Sequence, residues 1–378
     1  MLKARKGVRS IFPTLNEHFH ELLASKLTEW YRANCRDLPW RKDRSPYGVL
    51  VSEAMLQQTQ VERVKGFYVR WMERFPTLAS LAEASEEEVI GLWQGLGYYS
   101  RARNLLKTAQ TLKSMGLDGL PPDRELLSRL PGLGPYTTGA LCSIAFDLPV
   151  PAVDGNVRRV FSRLLDLADD PAKKKGADIV EAQVLQTLRL GRPHILTQAF
   201  MELGATHCAP AFHCESCPVS DLCAAFAAGT QGQRPVSEAR SKVKRRWGAA
   251  LLAGGEKDGW TLRLRPAGGL WAGFYEIPWL VGEPDESAES CFERLRAGLG
   301  AMAPCRASGL EETLKFTQWQ VRVKLWRGET PLPDAAGTCR RSAEDLKKLP
   351  MPAGLKRLAL KALNGEKEQL PLFTERDT

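Results

Sequence analysis

The spacing of apolar residues changes once along this 378-residue chain and divides it into two parts. Up to about residue 225 apolar side chains recur at helical intervals, for example throughout residues 99–115, and no strand alternation is found. After Trp247 the interval becomes two in several stretches, with helical stretches between and after them. These strand-like stretches are 249–253, 260–264 and 320–326, and the helical ones are 289–299 and 352–364. The sequence therefore predicts a multidomain protein, an all-α region followed by a small α+β domain.

Composition marks the boundary between the two parts. Residues 229–246 are rich in Gly, Pro, Ser and basic side chains, which is typical of a linker. We therefore expect a helical region over 1–228, a basic linker over 229–246, an α+β domain over 247–364 and a flexible tail over 365–378. A chain of this length can bury a separate core in each domain.

The chain is basic, with a formal net charge of +9 and a pI near 9.1, which favours a polyanionic partner. No apolar run reaches membrane-spanning length, and the basic N-terminus leads into no apolar core of the signal-peptide type. We therefore expect a cytoplasmic protein with no membrane partner.

The segment 130–138, followed by 153–157, is the most informative local pattern. Gly132 and Gly134 allow a tight turn between two helices, with the second helix beginning at about Thr137. Backbone N–H groups of such a turn point outward and can hold a phosphate. A phosphate site followed by a single carboxylate, Asp154, indicates an enzyme that acts on a nucleotide inside DNA. Taken alone, however, the segment favours a Gly-rich helix connection followed by an ordinary Asp N-cap.

Four of the nine cysteines lie within sixteen residues, a density that predicts one closed metal site. They are Cys208, Cys214, Cys217 and Cys223. Soft thiolates select zinc or an iron–sulfur cluster. Only one Cys-x-x-Cys pair is present, whereas zinc ribbons usually have two, so the spacing favours the cluster. His207 and His213 are alternative ligands.

Glu53 is a candidate general acid. On a helix it would share a face with Val49, Leu50 and Leu56, an apolar surrounding that would raise its pKa and let it hold a proton near neutral pH. The alternative is a Glu at the edge of the apolar stripe, paired with an Arg. The helix ends in three polar side chains suited to minor-groove acceptors or to filling a vacated base stack. These are Gln57, Gln58 and Thr59.

Several segments together resemble the MutY-type adenine DNA glycosylases of the endonuclease III superfamily. In the helical part they are Leu-Pro-Trp-Arg at 38–41, Ser-Glu-Ala-Met-Leu-Gln-Gln-Thr at 52–59, Gly-Leu-Gly-Tyr-Tyr-Ser-Arg-Ala-Arg-Asn-Leu at 95–105, the segments 130–138 and 153–157, and the cysteine cluster. In the last domain, Gly-Leu-Trp-Ala-Gly-Phe-Tyr-Glu-Ile-Pro at 269–278 is similar to the family's Nudix-like region. The resemblance runs from about residue 18 to residue 364.

This resemblance implies a helix–hairpin–helix glycosylase domain with an iron–sulfur loop over 208–223, followed by a Nudix-like lesion-recognition domain. It implies excision of adenine opposite 8-oxoguanine or guanine in double-stranded DNA, a step of base excision repair. The adenine would be flipped from the duplex into a pocket. Glu53 would protonate adenine N7, and Asp154 would stabilise the oxocarbenium-like sugar or bond to it transiently.

The resemblance also assigns roles to further residues. Around the active site, the supporting catalytic residues are Tyr136 and Asn156, and the adenine-pocket residues are Trp40, Arg41 and Gln198. On the DNA, the residues that wedge into the duplex are Gln58 and Tyr98, the other contacts are Gln57, Thr59, Gly132 and Gly134, and the lesion contacts are Phe316, Thr317 and Gln318. The ligands of a 4Fe–4S cluster are Cys208, Cys214, Cys217 and Cys223. In the alternative interpretation Trp40 and Tyr98 are core aromatics.

Tyr136 separates two reaction types. In strand-cleaving relatives such as endonuclease III, this position holds a lysine that attacks the sugar as an amine. A phenol cannot form a Schiff base. We therefore expect a monofunctional enzyme that removes the base and leaves the strand whole.

Three features depart from the family pattern. The first cysteine spacer has five residues instead of the usual six, so we expect a tighter loop over 209–213 with the cluster kept. The family's Phe-Ser-His is Phe316-Thr-Gln here, which keeps a hydroxyl and a donor but leaves open the stringency for 8-oxoguanine over guanine. The metal-binding Nudix signature is not recognisable around 286–300, so we expect no pyrophosphatase activity.

A peptide near the C-terminus, Gln-Leu-Pro-Leu-Phe from Gln369 to Phe373, resembles those that bind the bacterial sliding clamp. The alternative is a tail that folds back onto the last domain. Apart from the clamp, we expect a monomer associated with the nucleoid.

Two competing functions stay open. A thymine- or uracil-removing mismatch glycosylase would share the hairpin and Asp154, but Glu53 and the lesion-recognition domain favour adenine. A catalytically idle iron–sulfur protein would use the hairpin only to hold DNA, and the presence of both Glu53 and Asp154 counts against it.

Overall fold

A computed structural model describes residues 16–237, 243–266, 271, 273–316, 319–335 and 337–368. The chain divides near residue 240 into two compact units, of which the first is helical and the second contains a sheet. The predicted order, an all-α region followed by an α+β domain, is confirmed. None of the helices in the described ranges is long and apolar enough to cross a membrane.

Helices form the regular structure of the first unit in the part of the chain described. They are α1 (Glu17–Asn34), α2 (Pro39–Lys42), α3 (Pro46–Leu56), α4 (Val61–Arg74), α5 (Leu78–Ala82), α6 (Glu86–Trp93), α7 (Ser100–Ser114), α8 (Arg124–Arg129), α9 (Pro135–Ala140), α10 (Gly155–Leu164), α11 (Lys174–Arg189), α12 (Pro193–Thr206) and α13 (Ala224–Ala227). A π-helical turn, Leu141–Ala145, continues α9, and the 3-10 turns Ser220–Leu222 and Gln231–Gln233 flank α13.

Hydroxyl caps start two of the helices around the site. Ser45 accepts a hydrogen bond from the N–H of Gly48, and Pro46 occupies the first position of α3, where no N–H is needed. Ser85 precedes α6, and its hydroxyl accepts the N–H of Glu88. Because the cap fixes the first residue of α3, it also fixes the positions of the side chains along that helix.

Two hydrophobic clusters form the core of the first unit. The first contains α3 and is built around the fully buried Trp71 and Trp93. The second contains α10 and α12, where the ring of Phe161 packs edge-on against Phe200 with centroids 5.0 Å apart. Met201 packs against both clusters. Met201 of α12 therefore lies where the cluster of α3 adjoins the cluster of α10.

A mixed sheet forms the centre of the second unit. Its strands are β1 (Lys244–Gly255), β2 (Gly259–Leu264), β3 (Tyr275–Glu276), β4 (Trp279–Val281), β5 (Cys305–Lys315), β6 (Trp319–Gly328) and β7 (Thr338–Arg341), and the helices are α14 (Ala288–Gly298), α15 (Ala343–Lys348) and α16 (Ala353–Glu368). The strand order is β3-β2-β1-β6-β5, with β4 paired to β1 and β7 paired to β2. The central pair, β1 and β6, is parallel.

Successive residues of β1 pack on opposite faces of this sheet. Ala249 and Leu251 belong to the cluster that contains residues of α14, whereas Ala250 and Leu252 belong to the cluster that contains residues of α16. Because helices cover both faces, β1 is a continuous apolar run instead of an alternating one.

The sequence analysis does not predict β5. The pairing of β5 with β6 shifts register between Ala307 and Glu311, and Gly309 in this interval has a φ of +74°. A bulge of this kind interrupts the period-two pattern by which a strand is recognised.

The predicted linker is partly anchored in the first unit. The hydroxyl of Thr230 donates to Asp166 at 2.6 Å, and Arg234 forms an ion pair with the same carboxylate at 2.8 Å. At the other end, β1 begins at Lys244, inside the predicted 229–246 segment. Both ends of that segment therefore belong to folded units, and the domain boundaries themselves stay predictions.

Candidate active site

Glu53 is buried on α3 and accepts a hydrogen bond from Tyr136, which lies in the first turn of α9. The phenol oxygen donates to Glu53 Oε2 at 2.6 Å, and Glu53 is only 6% exposed. Burial raises the pKa of Glu53 to about 7; the hydrogen bond from Tyr136 lowers it, and the charge of Asp154 raises it. Near neutral pH Glu53 therefore holds a proton that it can donate.

Tyr136 stays protonated beside this acid. Burial, together with the charges of Glu53 and Asp154, raises the pKa of the phenol well above its ordinary value. Its hydroxyl also lies 4.0 Å from the sulfur of Met201 on α12. The phenol is therefore a fixed hydrogen-bond donor to Glu53 over the physiological pH range.

The surroundings of Glu53 differ from those predicted. Instead of one apolar stripe, every residue of α3 from Tyr47 to Met55 is buried. The alternative in which Glu53 pairs with an arginine is wrong for the described residues, because its bonding partner is Tyr136. Arg41 affects Glu53 through its charge alone, which lowers the pKa, and forms its ion pair with Glu202.

Asp154 is the N-cap of α10, as the sequence predicts. Its Oδ1 accepts the backbone N–H of Val157 at 2.7 Å, and its Oδ2 accepts the side-chain amide of Asn156 at 2.9 Å. Burial raises the pKa of Asp154, and these two hydrogen bonds lower it. Asn156 is in turn held by Arg159, whose Nη2 donates to the amide oxygen at 2.8 Å.

Burial raises the pKa of both carboxyl groups, but more of this effect is offset at Asp154 than at Glu53. Asp154 accepts two N–H groups and lies at the positive end of the α10 dipole, and these interactions stabilise its charged form against burial. Glu53 has one hydrogen-bond donor and burial dominates, so its neutral form is favoured. A protonated acid beside an ionised carboxylate can protonate a leaving group and stabilise a cation in the same reaction.

Gly139 and Gly204 allow close approach around Asp154. A Cβ on Gly139, in α9, would lie 2.0 Å from the carbonyl oxygen of Pro151, in the segment that leads into Asp154. A Cβ on Gly204, in α12, would lie 2.6 Å from the Cβ of Asn156. The backbone before Asp154 and the side chain after it are thus both held by direct contact.

We expect Gly139→Ala to lower the free energy of unfolding by about 2 kcal/mol, because backbone atoms of Pro151 must move to admit the methyl group. Urea denaturation measures this. The matched control is Gly91→Ala in α6, where nothing lies within 4 Å of the added Cβ, and which should be neutral or slightly stabilising. Equal stability of the two variants would contradict the packing argument.

Helices α8 and α9 form the predicted helix–hairpin–helix turn. Gly132 has a φ of +78°, and a Cβ there would lie 2.7 Å from the side chain of Asn104, so the turn requires glycine. Gly134 is the N-cap of α9 at a φ of −74°, a conformation open to any residue. The helix begins at Pro135 instead of Thr137. Both glycines are exposed, as a backbone phosphate contact needs.

The two predicted wedge residues are exposed at neighbouring turns. Gln58 follows α3 with a φ of +56°, and Tyr98 precedes α7 with a φ of +49°. The side chain of Tyr98 is 60% exposed, so it is not a core aromatic. Gln57 is partly buried and donates to the hydroxyl of Thr137 at 3.3 Å, which joins this turn to α9.

The predicted pocket residues lie on α2 and α12. Trp40 is buried in the first hydrophobic cluster, where the core interpretation places it. Arg41 Nη2 donates to Glu202 at 2.7 Å. Gln198 donates to a carbonyl of its own helix at 2.9 Å. Of these three, Arg41 is the residue whose charge lowers the pKa of Glu53.

Glu202 is a charged residue of this region that the sequence analysis missed. It is fully buried and accepts hydrogen bonds from Arg36 at 2.7 and 2.8 Å and from Arg41 at 2.7 Å. Although burial opposes ionisation, these hydrogen bonds lower the pKa of Glu202 to about 2. It follows Gln198 by four residues on α12, so helical spacing placed both on one face and was a usable signal.

The four clustered cysteines line one cavity beside α10 and α12. Apolar residues form other walls of this cavity: Val160, Leu164, Leu203, Val219 and Phe226. Arg163 Nη1 lies 3.4 Å from the sulfur of Cys208, and the thiol of Cys223 donates to the carbonyl of Arg163 at 3.3 Å. Burial raises the pKa of Cys217 to about 11. Four soft sulfur donors around an apolar cavity fit the requirements of an iron–sulfur cluster.

His207 lines the same cavity, and His213 does not. The Nδ1 of His207 is within 2.9 Å of the hydroxyl of Thr206. In the ranges that the structure describes, no group of three or more His, Cys, Asp or Glu side chains is arranged to hold a metal ion. The metal centre is therefore a proposal that rests on the donor set.

In the second unit, Phe316 follows β5, and its N–H donates to the carbonyl of Trp319 at 2.8 Å. Thr317 and Gln318, between them, lie outside the described residues, as do residues 269, 270 and 272 of the predicted 269–278 segment. Phe316 and Trp319 line a surface pocket together with Arg245 and Lys315. The guanidinium of Arg246 lies 3.9 Å from the ring of Trp319. Basic and aromatic side chains together suit contact with a nucleic acid.

Residues 51–184 match a family model described as "HhH-GPD superfamily base excision DNA repair protein". Both Glu53 and Asp154 lie in the matched range, so the hairpin and the site are in the part of the chain that is similar to this superfamily. The adenine DNA glycosylase of Mycolicibacterium smegmatis is 41% identical over 215 residues, which cover 55% of this chain and 72% of the relative. The chain belongs to the adenine DNA glycosylase family.

Other relatives carry the same name. The mouse adenine DNA glycosylase is 43% identical over 230 residues, which cover 58% of this chain and 45% of the relative. The adenine DNA glycosylase of Arabidopsis thaliana is 36% identical over 311 residues, which cover 71% of this chain and 48% of the relative. The chain thus spans about half the length of these curated relatives. A solved thermostable thymine-DNA glycosylase aligns with a TM-score of 0.50 at 25% identity, covering 56% of this chain and 98% of that one.

Proposed function

We propose that this chain removes adenine from duplex DNA where the adenine is paired with 8-oxoguanine or guanine. The observation that carries the proposal is the buried Glu53, whose pKa of about 7 suits protonation of a purine leaving group. Membership of the adenine DNA glycosylase family supports adenine as the base. Removal of a mispaired base is a step of base excision repair.

The reaction breaks the bond between N9 of adenine and C1′ of the sugar. Glu53 donates its proton to adenine N7, so the electron pair of the broken bond leaves on a neutral base. The charge of Asp154 stabilises the oxocarbenium-like sugar, or its oxygen bonds transiently to C1′. Water then adds to C1′, and the proton that it loses restores the acid form of Glu53.

The phenol of Tyr136 confines the reaction to base removal, since it has no amine to form a Schiff base with the sugar. Its hydrogen bond instead tunes Glu53. Asn156 orients Asp154 through their 2.9 Å hydrogen bond. Arg41, with Trp40 and Gln198 as further pocket residues, is positioned by Glu202.

We expect Tyr136→Phe to move the alkaline limb of the pH–rate profile to higher pH. The hydroxyl lowers the pKa of Glu53, so its removal keeps the acid protonated further into the alkaline range. Single-turnover rates between about pH 6 and pH 9 measure the limb. Tyr275→Phe in the second unit is the matched control and should leave it in place. If the alkaline limb of Tyr136→Phe moves to lower pH or does not move, the hydrogen bond from Tyr136 does not lower the pKa of Glu53.

Contacts with DNA are proposed for three regions. The exposed turn at Gly132 and Gly134 would hold a backbone phosphate. Gln58 and Tyr98, with Gln57 and Thr59 behind them, would fill the space left by the flipped base. The pocket at Phe316 would contact 8-oxoguanine together with Thr317 and Gln318.

A 4Fe–4S cluster is proposed on Cys208, Cys214, Cys217 and Cys223, where it would order the loop that follows α12. Purified protein should contain about four iron atoms per chain. Cys217→Ala should lose most of this iron, whereas Cys305→Ala, at a thiol outside the cluster, should keep it. Metal analysis with acid-labile sulfide determination checks both, and stoichiometric zinc without iron would contradict the proposal.

The function is tested by single-turnover assays on duplexes that hold adenine opposite 8-oxoguanine, adenine opposite guanine, or thymine opposite guanine. We expect excision of adenine from the first two, with breaks only after alkali. Excision of thymine alone would favour the competing mismatch activity. We include this substrate because a solved thymine-DNA glycosylase aligns with this chain. Strand breaks without alkali would contradict the monofunctional reaction.

The sliding clamp stays a proposed partner, because Gln369 to Phe373 lie outside the described residues. A synthetic peptide of residues 365–378 should bind purified bacterial clamp, and the absence of binding would remove this partner.

A further inference from the structure

Arg101, on α7, is a buried cation whose guanidinium is surrounded by backbone carbonyl groups. It is 8% exposed, and burial lowers its pKa to about 10, so the group keeps its charge at neutral pH. A buried charge is destabilising unless its hydrogen bonds are satisfied. The donors of Arg101 are satisfied by two separate segments of the chain.

The first segment is the C-terminal end of α3, directly after Glu53. Nη1 donates to the carbonyls of Ala54, Met55 and Gln57 at 2.7, 2.8 and 2.6 Å. Nη2 donates to the hydroxyl of Thr59 at 3.2 Å. The last carbonyls of a helix have no partner within the helix, so Arg101 supplies the partners that fix this end.

The second segment is the loop before α7. Nη2 also donates to the carbonyl of Gly97 at 2.9 Å, and Nε donates to the carbonyl of Tyr98 at 3.3 Å. The guanidinium carbon lies 5.2 Å from the ring of Trp93 and 5.6 Å from that of Tyr98. The exposed ring of Tyr98 thus contacts the same group that fixes the end of α3.

Both predicted wedge residues adjoin carbonyls held by Arg101, and both have left-handed backbone conformations. A residue other than glycine is held in this region at a cost of about 1 kcal/mol or more, and only where its surroundings determine it. The planar fork of an arginine reaches both segments at once, whereas the three donors of a lysine share one nitrogen.

We propose that Arg101 is a positioning residue that keeps Gln58 and Tyr98 in register with Glu53, so that the base is displaced from the duplex toward the acid. The proposal rests on the proposed function. Arg101 acts through the two turns and not on the reacting atoms. Its loss should therefore impair removal of a stacked, paired base more than removal of a base that is already unpaired.

The test compares single-turnover excision by wild type, Arg101→Met and Arg101→Lys on two duplexes. One holds adenine opposite guanine with paired flanks, and the other holds adenine opposite an abasic analogue with mismatched flanks. We expect each variant to lose at least about tenfold more rate on the paired duplex than on the weakened one. Arg103→Met, at a partly exposed arginine of α7 that pairs with Glu86, is the matched control and should behave as wild type.

Equal loss on the two duplexes would assign Arg101 a purely structural role and overturn the proposal. Wild-type rates in Arg101→Lys would also overturn it, because the fork would not be needed. If Arg101→Met does not fold, Arg101→Lys alone decides the comparison. Failure of the wild type to excise adenine from either duplex would instead overturn the proposed function, and this inference with it.

Discussion

Replacing Asp154 with Asn should lower the single-turnover rate of adenine excision by at least about a thousandfold, with the fold kept. The amide has the shape of the carboxylate and caps a helix about as well, so the hydrogen bond from Val157 can persist. What is lost is the negative charge that stabilises the sugar cation, together with the hydrogen bond from Asn156, which the amide nitrogen cannot accept. The variant isolates this charge from the cap.

Stability should change little in Asp154→Asn. Burial raises the pKa of Asp154, so its stabilising contribution falls as pH rises through the folded-state pKa, and an amide avoids that loss at neutral pH. Urea denaturation at pH 7 should show equal or slightly greater stability. Asp123→Asn, the same change at the N-cap of α8, is the matched control and should keep full activity. Unchanged excision in Asp154→Asn would refute the mechanism.

Glu53→Gln should reduce excision by about a thousandfold, because an amide has no proton of suitable acidity to donate to the base. The pH profile carries the same information. Wild-type activity requires the protonated carboxyl, whose pKa is about 7, so the rate should fall as pH rises above neutrality. The residual rate of the variant should not fall in this way as pH rises. If it still falls, a group other than Glu53 is responsible for the pH dependence.

Glu53→Gln should also make the protein more stable in alkali. Because the folded-state pKa is raised, the contribution of Glu53 to stability is complete below its unfolded value of 4.5 and is lost as pH rises through about 7. At pH 8 the variant should therefore exceed wild type by about 3 kcal/mol in free energy of unfolding, with little difference near pH 4. A variant less stable than wild type at pH 8 would contradict the burial of an ionised carboxylate.

Local patterns predicted the features whose causes are local. The cap formed by Asp154 depends on the N–H of Val157, three residues later, and was accessible from sequence. The left-handed turn at Gly132 is local in the same sense. Gly134 shows the limit of such reasoning, since its conformation does not require a glycine.

Features that depend on distant partners were not predicted. The raised pKa of Glu53 was predicted from apolar surroundings, but its hydrogen bond from Tyr136, 83 residues away in sequence, was not. The burial of α3 on all sides was not predicted either, because such a helix shows no one-sided pattern. Glu202 and Arg101 were overlooked because charged residues are ordinarily solvent-exposed, and only the folded chain places their partners around them. The strand β5 was missed for a different reason, the bulge that interrupts its alternation.

The double role of Asp154, as helix cap and as catalytic charge, has a consequence for how such a gene can change. Most substitutions at this codon would remove both roles, and the loss of the cap would cost about 1 kcal/mol of stability, enough to lower the amount of protein in the cell. Asparagine, one nucleotide away from aspartate in the genetic code, keeps the cap and loses the charge. The product would be a folded protein that occupies mispairs without processing them, and in a cell with one normal copy it would compete with the active enzyme for the same lesions.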